Sequence, residues 1–152
     1  MKKRTILLVV LATLLTLVIC GGCAPGKYTP KANEEIYGTW TNPNYPQQKA
    51  VRSPDGTWQN FSYPTDTVPF ASGTFQLVKK WKDADGNTWY HENFRVLKGV
   101  YTFNAQQLDK IEKSGKVWEA MYIEVPRFDS ENYPKQLDPK SESYSIFYRA
   151  GE

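Results

Sequence analysis

From residue 36 onward, short runs of β-branched and aromatic residues alternate with polar ones and are cut at close intervals by turn formers, a period-two pattern that predicts strands. The turns resemble one another. Ser53-Pro54-Asp55-Gly56-Thr57-Trp58 is echoed by Asp83-Ala84-Asp85-Gly86-Asn87-Thr88-Trp89 and, more loosely, by Lys113-Ser114-Gly115-Lys116-Val117-Trp118. Each offers a Gly for positive φ at the tight point and a Trp early in the outgoing strand. Strands are predicted at about 36–41, 48–53, 57–63, 73–82, 87–96, 99–103, 107–113, 116–125 and 143–149. Asn104 to Ser114 also fits local helix rules, with Asn104 as cap, Gln107 three residues on and Gly115 past the end, but the surrounding meander favours a strand. About 8 to 9 antiparallel strands joined by hairpins predict an all-β fold, an up-and-down meander closed into a β-barrel. Closure removes the unpaired edges of an open sheet; a β-sandwich is the alternative.

Register decides which side chains share a face. In the hairpin of residues 73–96, a two-residue turn at Asp85-Gly86 pairs Phe75 with Val96, Leu77 with Phe94, Lys79 with Glu92 and Trp81 with Tyr90. A three-residue turn with a Gly bulge shifts the pairing by one step and mixes polar with apolar partners. The better-matched pairs make the first the expectation. It puts Phe75, Leu77, Lys79, Trp81, Tyr90, Glu92, Phe94 and Val96 on the inner wall, joined by Met121, Ile123, Ile146 and Tyr148. Plain core packing would account for the apolar members. An inward Lys79–Glu92 pair needs a partner or water and would orient a carboxylate or amine on a ligand, whereas on the outer face it is a solvated ion pair of little worth. Two long connections, 64–72 with Phe70 and 126–142 with Phe128, Tyr133 and Leu137, would frame a mouth or meet a partner protein.

Composition adds limits. A chain of 152 residues, 40% hydrophobic and 23% charged, suits one domain. Its net charge of +3 comes from Lys2, Lys3 and Arg4; the remaining basic and acidic residues balance, so nucleic acid is not an expected partner. Those basic residues precede an uncharged apolar run, Thr5 to Ile19, which matches a secretory signal peptide and is short for a membrane span. Gly21-Gly22-Cys23 follows. This resembles the lipobox of bacterial lipoproteins, in which small residues precede a Cys that is acylated and becomes the first mature residue. The resemblance implies a signal peptide over 1–22, a palmitate-type lipid on Cys23, a flexible tether over 23–35 and a folded domain over 36–150. It also implies a lipid-anchored place on the bacterial cell membrane, facing out of the cytoplasm, with the outer membrane favoured in a diderm because Ala24 follows the Cys. An uncleaved anchor or an ordinary secreted protein is the alternative.

Ile36-Tyr37-Gly38-Thr39-Trp40-Thr41 places Gly-x-Trp on the first strand, and Tyr148-Arg149 lies in the last. This resembles the lipocalin superfamily and, more narrowly, small bacterial lipocalin-like lipoproteins. The resemblance implies a barrel sealed at one end by Trp40 packed on Arg149, with a mouth at the other. It further implies non-enzymatic binding of a small hydrophobic or amphipathic ligand, with Phe75, Leu77, Lys79, Trp81, Tyr90, Glu92, Phe94, Met121 and Tyr148 as candidate contacts, and no cofactor or metal. A filled barrel that contacts an envelope protein is the alternative. An envelope hydrolase is less supported, since His91 is the only histidine, with no Gly-x-Ser-x-Gly elbow, and is expected at the surface or in a cross-strand pair. The Asp83–Asn87 run misses calcium-loop spacing and reads as a hairpin turn.

Overall fold

A computed structural model describes residues 28–128 and 132–151. Cys23 and the signal-peptide segment lie outside the described residues. The chain forms eight strands: β1 (Gly38–Asn42), β2 (Tyr45–Arg52), β3 (Thr57–Phe61), β4 (Ala71–Lys82), β5 (Thr88–Lys98), β6 (Phe103–Ile111), β7 (Val117–Glu124) and β8 (Tyr144–Arg149). Each pairs antiparallel with the next, and β1 closes on β8 through Trp40 opposite Arg149 and Thr41 opposite Tyr148, giving a closed meander barrel. The architecture is consistent with a lipocalin-like barrel, and closure excludes the sandwich. No described residue is helical, so 104–114 is strand.

Two expectations need correction. The strands expected at 99–103 and 107–113 are one strand, β6, because the chain from Gly99 to Thr102 is spent on the β5–β6 turn. The β4–β5 register is also different: Phe75 lies opposite Phe94, Leu77 opposite Glu92, Lys79 opposite His91 and Trp81 opposite Trp89. Two features cause this. The turn closes from Asp83 to Asn87, with Gly86 at φ +87 donating to the Asp83 carbonyl, which is the three-residue turn with a Gly bulge. Val78 is then an extra residue in β4, a bulge that shifts the pairing between Leu77 and Lys79.

The first and last strands meet as the Gly-x-Trp resemblance implied. The Arg149 guanidinium lies 4.1 Å from the centre of the Trp40 ring. It donates from Nε to the Gly115 carbonyl and from Nη1 to the Tyr37 carbonyl, both at 2.9 Å, and from Nη2 to the Glu35 carbonyl. Gly38 has φ +127, and a Cβ there would sit 2.6 Å from Arg149 Nη1, so the Gly keeps the space through which the guanidinium passes. Trp40 is fully buried and donates to the Ile36 carbonyl at 2.9 Å. With Ile36, Tyr90, Ile111 and Trp118 it belongs to the buried core at this end. We call it the closed end; the turns 53–56, 83–87 and 112–116 lie there. The connections 43–44, 62–70 and 99–102, and the described parts of the connection between β7 and β8 (125–128 and 132–143), leave the barrel at the other, the mouth end.

Candidate functional site

Strand alternation carries a continuous inner face around the barrel. Arg52 on β2 is opposite Trp58 on β3; Glu92 on β5 is opposite Gln107 on β6, which is opposite Tyr122 on β7; Asp109 is opposite Ala120. Arg52, Glu92 and Asp109 thus converge midway along the interior, 3%, 0% and 0% exposed. Arg52 Nη2 pairs with Glu92 Oε2. Its guanidinium is sandwiched between the Phe75 ring at 3.9 Å and the Trp118 ring at 4.9 Å. Asp109 Oδ1 accepts from Gln107 Nε2 at 2.6 Å and from Trp118 Nε1 at 3.0 Å. Among the described residues, Arg52 Nε, Glu92 Oε1 and Asp109 Oδ2 have no hydrogen-bond partner.

One guanidinium therefore faces two buried carboxyls. Burial pushes the Glu92 carboxyl above the usual carboxylate range, Arg52 pulls it back in part, and the charge of Asp109 adds to the rise. Burial likewise raises Asp109 against the pull of Arg52 and of its Gln107 and Trp118 donors. Since both carboxyls are raised, the cluster retains a proton at pH values where exposed carboxyls have lost theirs. That lets it donate as well as accept hydrogen bonds.

Above this floor, toward the mouth, lies a cavity of about 180 Å³. Arg52 and Gln107 contribute to its base, the rings of Trp58, Phe94, Trp118, Tyr122 and Phe147 to its walls, and Asn60, Ser143 and Ser145 add polar atoms. The aromatic walls are braced in pairs: Trp58 stacks on Phe94 at 4.7 Å and Trp118 on Phe147 at 4.3 Å. Gly73 fits this wall because a Cβ would come within 2.7 Å of Trp58 Nε1 and 1.8 Å of the Arg95 carbonyl. An apolar-walled space with a few converging polar groups is the usual form of a small-molecule site, although about 300–1,000 Å³ is common for such sites.

A second buried carboxylate sits at the closed end. Glu34 accepts from the hydroxyls of Tyr28 and Tyr90, the Lys31 amide and Lys80 Nζ. Burial alone would raise its carboxyl, but these donors outweigh it and hold it at about 2. Outside the barrel, the described parts of the β7–β8 connection touch β6 through Val125, which donates to the Asn104 carbonyl, and β5 through Phe128 at Arg95 and Tyr133 at His91. Tyr133 stacks on His91 with ring centres 3.8 Å apart, and His91 Nε2 donates to Gln106 Oε1. His91 is 2% exposed, so of the two places expected for it the surface one is excluded; it is a cross-strand residue opposite Lys79 and Leu108, buried on the outer face beneath this strap. Burial, then the Lys135 and Lys79 charges, lower its pKa against the opposing effect of Gln106.

Of the residues singled out in the sequence, Phe75, Leu77, Tyr90, Glu92, Phe94 and Val96 face inward, and only Phe94 borders the cavity. Lys79 and Trp81 point outward, because the Val78 bulge reverses the alternation; Lys80 takes the inward place. Lys79 is therefore not the partner of Glu92. Met121, Ile123, Ile146 and Tyr148 also face outward, since Trp118, Ala120 and Tyr122 of β7 and Ser145 and Phe147 of β8 hold the inner positions. Arg52, Gln107, Asp109 and Trp118 were not singled out as site residues. Asp109, a carboxylate within a strand, was a signal for them. Placing Arg149 inside the barrel also implied Phe147 and Ser145 inside and Tyr148 out, by the period of two.

No family model, curated protein or solved structure matches the chain.

Proposed function

We propose that the protein is a non-enzymatic, lipocalin-like lipoprotein that binds one small amphipathic molecule in the mouth half of its barrel, apolar body against the rings and polar end toward the Arg52 cluster. The observation that carries this is the contrast along the barrel axis. The closed half is filled by the buried core around Trp40, whereas the mouth half keeps a cavity of about 180 Å³ that Arg52 borders, and the Arg52–Glu92–Asp109 cluster holds three buried polar atoms without partners among the described residues. Buried groups of that kind make a polar ligand end favourable, because a new hydrogen bond recovers their desolvation cost. The volume restricts the ligand to a small one. Acylation of Cys23 would hold the barrel on the outward face of a bacterial membrane, and labelling with a palmitate analogue, abolished in Cys23→Ser, tests that step.

Native mass spectrometry of protein purified from membranes tests the pocket. A bound small molecule is expected on the wild type and not on Ala120→Trp, which fills the cavity, while circular dichroism shows that the variant keeps its sheet. Equal ligand occupancy in the two sinks the reading. The alternative, a filled barrel that serves envelope-protein contacts, draws on the buried core of the closed half; it gains if neither form carries a molecule and cavity filling raises stability.

A further inference from the structure

The mouth cavity has a shape as well as a volume. Arg52 of β2 and Gln107 of β6 border it from strands that stand opposite each other in the ring of eight. The two stacked ring pairs flank that axis: Trp58 and Phe94 come from the strands on either side of β4, and Trp118 and Phe147 from β7 and β8, across the barrel. Within each pair the rings are 20° from parallel. Trp58 is fixed in place, since its Nε1 donates to the Arg95 carbonyl at 3.1 Å and Gly73 leaves room for the ring. Ala50 of β2 and Ala120 of β7 put only methyl groups into the space between.

Flat walls with small residues between them make a slot. At about 180 Å³ it has the size of one ring and a substituent, since an apolar cavity of about 150 Å³ accepts benzene. A lipid acyl chain is too long for it. Aromatic walls also favour a flat π-system over a saturated ring of equal size, because only the former stacks.

The base of the slot sets the polar end. Of the buried cluster, Arg52 borders the cavity, and Glu92 and Asp109 do not. A ligand carboxylate would be a third acid contending for one guanidinium, which already pairs with Glu92. A ligand ammonium would meet that guanidinium as a like charge. A neutral hydroxyl escapes both penalties, because it accepts from Arg52 and donates to an acceptor. Gln107 offers one. Its Nε2 donates to Asp109 Oδ1 at 2.6 Å, and this bond fixes the amide so that Oε1 is the end turned from the carboxylate.

We propose that the ligand is a neutral, single-ring aromatic alcohol of the phenol class, with its ring between the Trp58–Phe94 and Trp118–Phe147 pairs and its hydroxyl between Arg52 and Gln107. The hydroxyl accepts from the first and donates to the second. This rests on the small-molecule reading proposed above and adds to it the class of molecule.

Titration calorimetry of protein purified from membranes tests the class with probes of similar size: para-cresol, its saturated-ring analogue, toluene, benzoate and benzylamine. The same titrations on Ala120→Trp, or on Ala50→Phe should the first variant lose its sheet by circular dichroism, measure partition into detergent and are subtracted. Para-cresol is expected to bind about threefold more tightly than its saturated analogue through stacking. It should bind about tenfold more tightly than toluene, which lacks the hydroxyl, and than benzoate or benzylamine, which bring a charge. Gln107→Leu should remove most of the preference over toluene while toluene still binds. Equal or tighter binding of any of the other four probes, lost in the filled variant, overturns the phenol class and leaves the pocket standing. Heats that are the same in wild type and filled variant for every probe also overturn the class, and the native mass spectra then decide the pocket separately.

Discussion

Two buried carboxylate clusters in this barrel use the same residue chemistry in opposite ways. At the closed end, Glu34 is surrounded by donors from Tyr28, Lys31, Lys80 and Tyr90, and its carboxyl is held at about 2. In the middle, Glu92 and Asp109 share the single guanidinium of Arg52, both are raised by burial, and each keeps an oxygen without a partner. Burial does not by itself set the character of an acid; the number of donors that meet it does. The saturated cluster latches the incoming chain to β4 and β5. The unsaturated one leaves bonding capacity beside a cavity.

The strongest way to break this contrast is Arg52→Met, which leaves two buried carboxyls with no cation. It should cost about 3–5 kcal/mol at pH 7, with part of the loss recovered at pH 5 as the carboxyls take up protons. Urea unfolding at the two pH values checks both statements. Glu34→Gln comes next, at about 2–3 kcal/mol near neutrality, since one charged acceptor serves several donors. The folded-state value of Glu34 is lowered, so its contribution is present above its ordinary value of 4.5 and is lost as pH falls toward 2. The gap between variant and wild type should close over that range.

Glu92→Gln sharpens the comparison in the other direction. A raised carboxyl contributes stability that is present below its unfolded value and lost as pH rises through the folded one. The wild type should therefore weaken toward alkaline pH. The variant should stay within about 1 kcal/mol of it at neutrality and overtake it near pH 9. The smallest effect is expected from Tyr133→Ala, about 1 kcal/mol for loss of the stack on His91. Hydrogen exchange should show faster opening confined to the 125–143 connection and the outer face of β5–β6.

The closed meander was legible because its turns announce themselves. Pro54-Asp55-Gly56, Asp85-Gly86 and Ser114-Gly115 each mark a hairpin, and the Gly at each takes positive φ. The Trp40–Arg149 contact was legible because Gly38, which has to be a glycine for Arg149 to pass, stands two residues before the indole. The inner wall was harder to read. In β7 both faces are apolar, Val117, Met121 and Ile123 on one and Trp118, Ala120 and Tyr122 on the other, so hydrophobicity alone does not choose between them. In β4 the obstacle was Val78, an ordinary strand residue whose exclusion from the ladder no local pattern declares. The charged cluster was hidden for a related reason: Arg52, Glu92 and Asp109 come from three strands and become neighbours only once the register is known.

That unpaired valine gives β4 something like a reading frame. Upstream of it, odd-numbered residues belong to the interior; downstream, even-numbered ones do, so Leu77 and Lys80 both look inward across an interval of three. Substitutions at position 78 would leave this frame intact. Deleting the residue would keep it too, with Leu77 and Lys80 inward at the ordinary interval of two, whereas an inserted residue that joined the ladder would turn Lys79 and Trp81 into the barrel and cast Lys80 out, away from the carboxylate that fastens the first strand. For this strand the number of residues that join the ladder constrains the fold more tightly than the identity of the one left out.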